Sequence, residues 1–111
     1  MDSYRVVFSD GAISDLFAIY EYIAKIQLEP DNAKELIRKI KEAVDSLSIF
    51  PKRHPVVAFS PLKEEEMRYF AIKNYNIYYL VDDENHLVNI VRIFSCRHRV
   101  VVSDGKLHDN V

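Results

Sequence analysis

Arginines and histidines carry the chemistry this sequence can offer. Between residues 67 and 99 three β-rich runs follow one another, with an arginine at or near an end of each: Arg68, Arg92 and Arg97. Guanidinium stays charged and can bind two oxygens at once, so arginines gathered at one sheet end suit phosphate or carboxylate recognition. Two basic clusters accompany them, Lys52-Arg53-His54 and Arg97-His98-Arg99 with Lys106. His54 and His98 titrate near neutral pH and can move protons. Tyr69 and Tyr75 offer rings on which a base can stack. The scattered His54, His86, His98 and His108 lack metal-ligand spacing and Cys96 stands alone, so no metal and no cofactor are expected.

The elements that must position these residues are legible from periodicity. Residues 4–8 read as a short strand, and Ser9 or Asp10 sits where a helix N-cap belongs. A first helix is expected over residues 12–26, with Ala12, Leu16, Ile19, Tyr20 and Ile23 in one apolar stripe. Leu28-Glu29-Pro30-Asp31 breaks it, and Pro30 suits the first turn of the next helix. That helix is expected over about 32–48, with Ala33, Ile37, Ile40, Val44 and Leu47 facing the core and Glu35 paired with Lys39 outside. Phe50-Pro51 ends it, and a basic, proline-pinned loop follows. Strands are expected over 66–72, 75–81 and 87–94, with a polar hairpin break at 82–85. In the last strand Val88, Ile90, Arg92 and Phe94 should share one face, and Leu87, Asn89, Val91 and Ile93 the other; both are largely apolar, as in a central strand. The ends of this meander are expected to bring Arg68, Arg92 and Arg97 towards one region.

The expected fold is therefore α+β. Its order is β-α-α-β-β-β(-β), an antiparallel helix hairpin packed on a mostly antiparallel twisted sheet. At 111 residues, 49% of them apolar and only two glycine, the chain fits one domain over residues 1–102, with a flexible C-terminal tail over 103–111. No apolar run approaches the ~20 residues of a membrane span, no signal peptide is evident, and one cysteine cannot form an internal disulfide. A cytoplasmic location is the expectation. A net charge of −2 argues against broad nucleic-acid coating but leaves room for one focused basic site.

Order and spacing together make a resemblance. It covers about residues 4–99: the opening strand, then Ala12-Ile13-Ser14-Asp15-Leu16 with Ile19, Tyr22 and Ile23. Pro30 with Ala33 follows, then Ile40, Leu47 and Phe50-Pro51. Met67-Arg68, Tyr75-Asn76-Ile77-Tyr78-Tyr79 and residues 88–94 with Arg97 complete it. The chain resembles the RelE/ParE superfamily of toxins from bacterial type II toxin–antitoxin systems. The resemblance implies a growth-inhibiting, plasmid-stabilisation type of protein silenced by a cognate antitoxin. It implies one of two targets, because the superfamily's branches share a fold and differ in action. RelE-like members are mRNA interferases that cut mRNA in the ribosomal A site. ParE-like members poison DNA gyrase. Ser95 stands where many ParE-like relatives have histidine, the His-Tyr ending of YoeB-type enzymes is missing, and the RelE lysines have no counterpart beyond Lys52-Arg53. The helices and Phe50-Pro51 lie nearer the ParE side.

Metal-independent cleavage by the 2′-OH needs a base, an acid and a cation around one phosphate. The first expectation is a ribosome-dependent mRNA endonuclease, in which Arg68 and Arg97 would hold charge, His54 and His98 would move protons, and Lys52, Arg53, Tyr69 and Arg99 would bind substrate. The alternatives are a gyrase inhibitor without catalysis and a degenerate toxin that retains only antitoxin binding. Each residue also has a structural reading: Arg92, mid-strand, suits an ion pair, and the tyrosines suit sheet packing. The antitoxin is expected to cover Arg68 and Arg97.

Overall fold

The computed structural model describes residues 3–97, 99–103 and 106–110, with side chains for 3–97 and Leu107. Strand β1 (Arg5–Phe8) leads into α1 (Asp10–Glu21). Ser9 is the N-cap: its hydroxyl accepts from the Ala12 N–H at 3.0 Å and donates to the Val91 carbonyl at 2.6 Å. The last turn, Tyr22–Ile26, widens to π geometry, and α2 (Pro30–Asp45) starts on its proline. Ala12, Ile19 and Ile23 of the first stripe are buried. On α2 Leu36 takes the deep position expected of Ile37, which is only half-buried. Glu35 pairs with Arg38 instead of Lys39, because Arg38 lies between Glu35 and Glu42 and reaches both.

Strands β2 (Arg68–Ile72), β3 (Tyr75–Asp82) and β4 (Leu87–Ser95) form the antiparallel meander, and β1 joins β4 in parallel, giving the order β1-β4-β3-β2. Both helices pack on one face of this sheet over a core that includes Ile40, Val44, Ile77, Tyr79, Val88, Ile90 and Ile93. The other face carries a smaller cluster of Val57, Leu62, Met67, Tyr78, Phe94 and Leu107. The α+β architecture of a helix hairpin on a mostly antiparallel sheet is thus the one expected. Among the described residues no helix is long and apolar enough to cross a membrane.

Three local expectations need correction. Tyr78 pairs with Arg92 but Tyr79 with Ile90, so Val91 is an extra residue in β4. One inserted residue reverses the alternation. Val88 and Ile90 face the helices with Ile93, and Phe94 faces the second cluster. The meander also cannot bring Arg68 and Arg97 together. β2 and β4 run in the same direction on either side of β3, so the start of one and the end of the other lie at opposite ends. Arg68 stands opposite Tyr79, and Ser95 opposite Tyr75. That is ~13 Å along the strands and ~10 Å across them. Finally, the stretch expected to be a loose tail supplies a strand, β6 (Lys106–Asn110), paired with β5 (Arg99–Ser103). Leu107 is buried in the second cluster, so this hairpin has an apolar anchor that periodicity in a polar segment does not reveal.

Candidate functional site

Two regions hold the candidate residues, one at each end of the sheet. The first is the basic loop after α2. The short 3-10 turns Ser46–Ser48 and Pro51–Arg53 flank Ile49 and Phe50, and the loop returns along the outer edge of β2. Arg68 donates from one guanidinium nitrogen to the carbonyls of Lys52 (3.0 Å) and His54 (2.7 Å). The Tyr79 hydroxyl donates to the Pro51 carbonyl at 2.6 Å from within the core. Arg53 donates to the carbonyls of Ser46 (3.1 Å) and Ile49 (2.8 Å), closing the end of the helical segment. Lys52 pairs with Asp83, which also accepts from the Tyr4 hydroxyl at 2.8 Å. Those hydrogen bonds, Lys52 first, hold the Asp83 carboxyl below the usual range.

His54 lies flat against Phe70, with ring centroids 4.4 Å apart and planes at 15°, and edge-on to Tyr79 at 6.2 Å. Burial, and secondarily the Arg53 charge, lowers its pKa, which favours the neutral ring. Tyr69 lies on the far side of β2, packed against the second cluster and stacked on Tyr78 at 6.1 Å.

The second region is a groove of about 740 Å³ between the helix hairpin and the β2–β3 turn. Tyr22, Glu29 and Asn32 line one wall, and Lys73, Tyr75 and Arg97 the other. Burial raises the Tyr75 pKa, with a smaller contribution from Tyr22 and an opposing one from Arg97. Arg97 is exposed, and its backbone N–H donates to the Ser95 hydroxyl at 3.2 Å. Arg92 belongs to neither region. It is bidentate to Asp15 (2.8 and 2.9 Å) and donates to the Leu107 carbonyl at 2.9 Å, an ion pair as its mid-strand place suggests.

Of the candidates, Lys52, Arg53 and His54 therefore lie in one loop to which Arg68, at the start of β2, is tied, while Arg97 is at the other end of the sheet. His98 lies outside the described residues, and Arg99 opens β5 with its side chain likewise outside them. Among the described residues no three His, Cys, Asp or Glu groups gather as a metal site. Sequence reasoning missed Tyr79 as the loop's tether, because a tyrosine in a strand reads as packing. It also missed Tyr22 and Lys73 as groove residues, which only the hairpin's position over the sheet brings together.

The model of one protein family, "ParE toxin of type II toxin-antitoxin system", matches residues 6–100, which span the helix hairpin, the four-stranded sheet apart from Arg5, and both regions. The chain belongs to this ParE toxin family. Solved structures of the same fold agree in architecture. The ParE-family chain is similar to a chain of the chromosomal ParDE system of P. aeruginosa, with a TM-score of 0.68 at 19% identity, over 84% of this chain and 96% of that one. It is similar to one of the RelBE2 toxin–antitoxin complex of Mycobacterium tuberculosis, with a TM-score of 0.61 at 22% identity over 84% and 98%. A mutant of E. coli toxin RelE in the free state aligns with a TM-score of 0.58 at 11% identity over 85% and 84%. No curated protein matches the sequence. The family description makes this ParE-family protein a toxin of a type II toxin–antitoxin system.

Proposed function

We propose that this toxin arrests growth by binding a protein target, DNA gyrase, and that it does no chemistry of its own. The supporting observation is how the described candidates are engaged. Cleavage of RNA needs base, acid and cation within hydrogen-bond reach of one phosphate. Arg68 is tied to the Lys52 and His54 carbonyls, His54 is stacked on Phe70, and Arg97 stands at the far end of the sheet. A binding inhibitor asks only for a rigid surface, which the tethered loop supplies. The family match adds to this, since the resemblance to the ParE-like branch carries gyrase poisoning with it. The reading has the chain act in the cytoplasm, beside both gyrase and its antitoxin.

A second reading, cleavage of ribosome-bound mRNA, draws on one observation: Lys52, Arg53, His54 and Arg68 form a single basic cluster. One experiment separates the two. The chain, released from its antitoxin complex, is added to purified gyrase with relaxed plasmid, and separately to translating ribosomes with message. Inhibited supercoiling with intact message is expected. Cut message with unaffected supercoiling would reverse the choice.

A further inference from the structure

The loop after α2 displays a phenylalanine in a conformation its surroundings impose. Phe50 has φ 52° and ψ 55°, left-handed backbone that residues with a Cβ avoid. Pro51 next to it is buried, yet Phe50 is 65% exposed and Ile49 is 44% exposed. The segment is not loose. The carbonyls of Ile49, Phe50, Pro51, Lys52, His54 and Pro55 all accept hydrogen bonds, from Arg53, the Arg53 N–H, Tyr79, Arg68 twice and the Tyr69 N–H respectively. Backbone strain persists where neighbours over-determine it, and such places concentrate at binding sites. An apolar ring carried on so fixed a backbone loses little freedom on docking.

The surroundings say what it docks into. Arg53 and Arg68 donate to carbonyls and, for Arg53, to the Ser46 hydroxyl; neither meets a carboxylate among the described residues. Only Lys52 is balanced, by Asp83. An exposed aromatic in a loop that carries uncompensated guanidinium groups has the composition of an interface hot spot, and it fits an apolar pocket with an acidic rim. A single projecting residue on a rigid turn suits a preformed pocket on a folded partner. An extended chain segment suits a groove instead, and the groove lies at the other end of the sheet.

We propose that Phe50, with Ile49 beside it, is the anchor that enters an apolar, acid-rimmed pocket on the protein this toxin inhibits. The inference rests on the reading of growth arrest by a protein target.

Phe50→Gly is the informative variant, because glycine adopts the left-handed backbone freely and removes only the ring. Its complex with antitoxin is expected to form as before and to melt at the same temperature or higher. Induced without antitoxin at equal soluble level, it should leave at least tenfold more colonies than the native chain. Phe50→Leu, which still fills an apolar pocket, should fall between the two. Full toxicity of Phe50→Gly would overturn the inference and leave a strained turn only. Loss of antitoxin binding by Phe50→Gly would assign the ring to the antitoxin and overturn it too. Phe50→Leu as inactive as Phe50→Gly would point to ring stacking on a nucleic-acid base and equally overturn it. The supercoiling assay decides the gyrase reading separately. If the native chain leaves gyrase untouched while Phe50→Gly loses toxicity and Phe50→Leu keeps part of it, gyrase fails as the target and the anchor stands.

Discussion

Asp15 on α1 holds the place where β1 has ended and the edge of β4 would open. Its carboxylate accepts from Arg92 twice and from the Ile93 N–H at 2.8 Å, and its side chain is only 12% exposed. Asp15→Ala removes a carboxylate partner of Arg92 and the acceptor of the Ile93 N–H, so it should destabilise the toxin by about 2–4 kcal/mol in a urea titration. A change below about 0.5 kcal/mol would reduce the contact to a surface pair. Tyr79→Phe removes one hydrogen bond to the Pro51 carbonyl and should cost about 1 kcal/mol, with faster amide exchange in the loop over residues 50–55. The ion-pair character of Arg92 was legible in the sequence, since a charge among apolar strand residues needs a partner. Asp15 as that partner was not. The two are 77 positions apart, and their meeting depends on where β1 stops against the bulge at Val91.

At the scale of elements, helix and strand periods were legible because one face of each element is buried. Ala12, Ile19, Ile23, Ala33, Ile40, Val44 and Leu47 lie in the core as their spacing requires. The bulge was illegible because both faces of β4 bury apolar residues, Val88, Ile90 and Ile93 on one and Phe94 on the other, so no clean apolar–polar alternation marks the change of face. The basic loop was seen as a cluster of charges, but its role as a tethered support was hidden, since backbone carbonyls leave no trace in a sequence. The loop also carries a pH dependence. His54 is harder to protonate in the fold than in the unfolded chain, whose ordinary value is 6.5. The unfolded state therefore binds more protons on acidification. The stability His54 contributes is present above pH ~6.5 and is lost as pH falls through the lower folded-state value. His54→Leu should flatten the melting temperature of the antitoxin complex between pH 7 and 5; an unchanged slope would contradict this.

The described residues form two apolar clusters, one on each face of the sheet, and Leu107 of the C-terminal hairpin belongs to the second. Leu107→Ala should lower stability by about 2–3 kcal/mol, the usual loss for a buried leucine, whereas a loose tail predicts no change. Separation of the two candidate regions is also a property of the whole. Arg68 and Arg97 were each identifiable, but which ends of a three-strand meander coincide follows from strand direction and not from residue type. An antitoxin that covers both must run along the sheet for more than ~13 Å, at least four extended residues. On the function proposed above, this ParE-family toxin stops growth through gyrase. The most direct test is to induce the chain without antitoxin and follow labelled thymidine and labelled methionine in one culture. Thymidine incorporation should fall first, with methionine incorporation continuing. Arrest of protein synthesis within minutes while DNA synthesis continues would contradict the claim and return the basic cluster at Arg68 and His54 to consideration as an RNA-cleaving site.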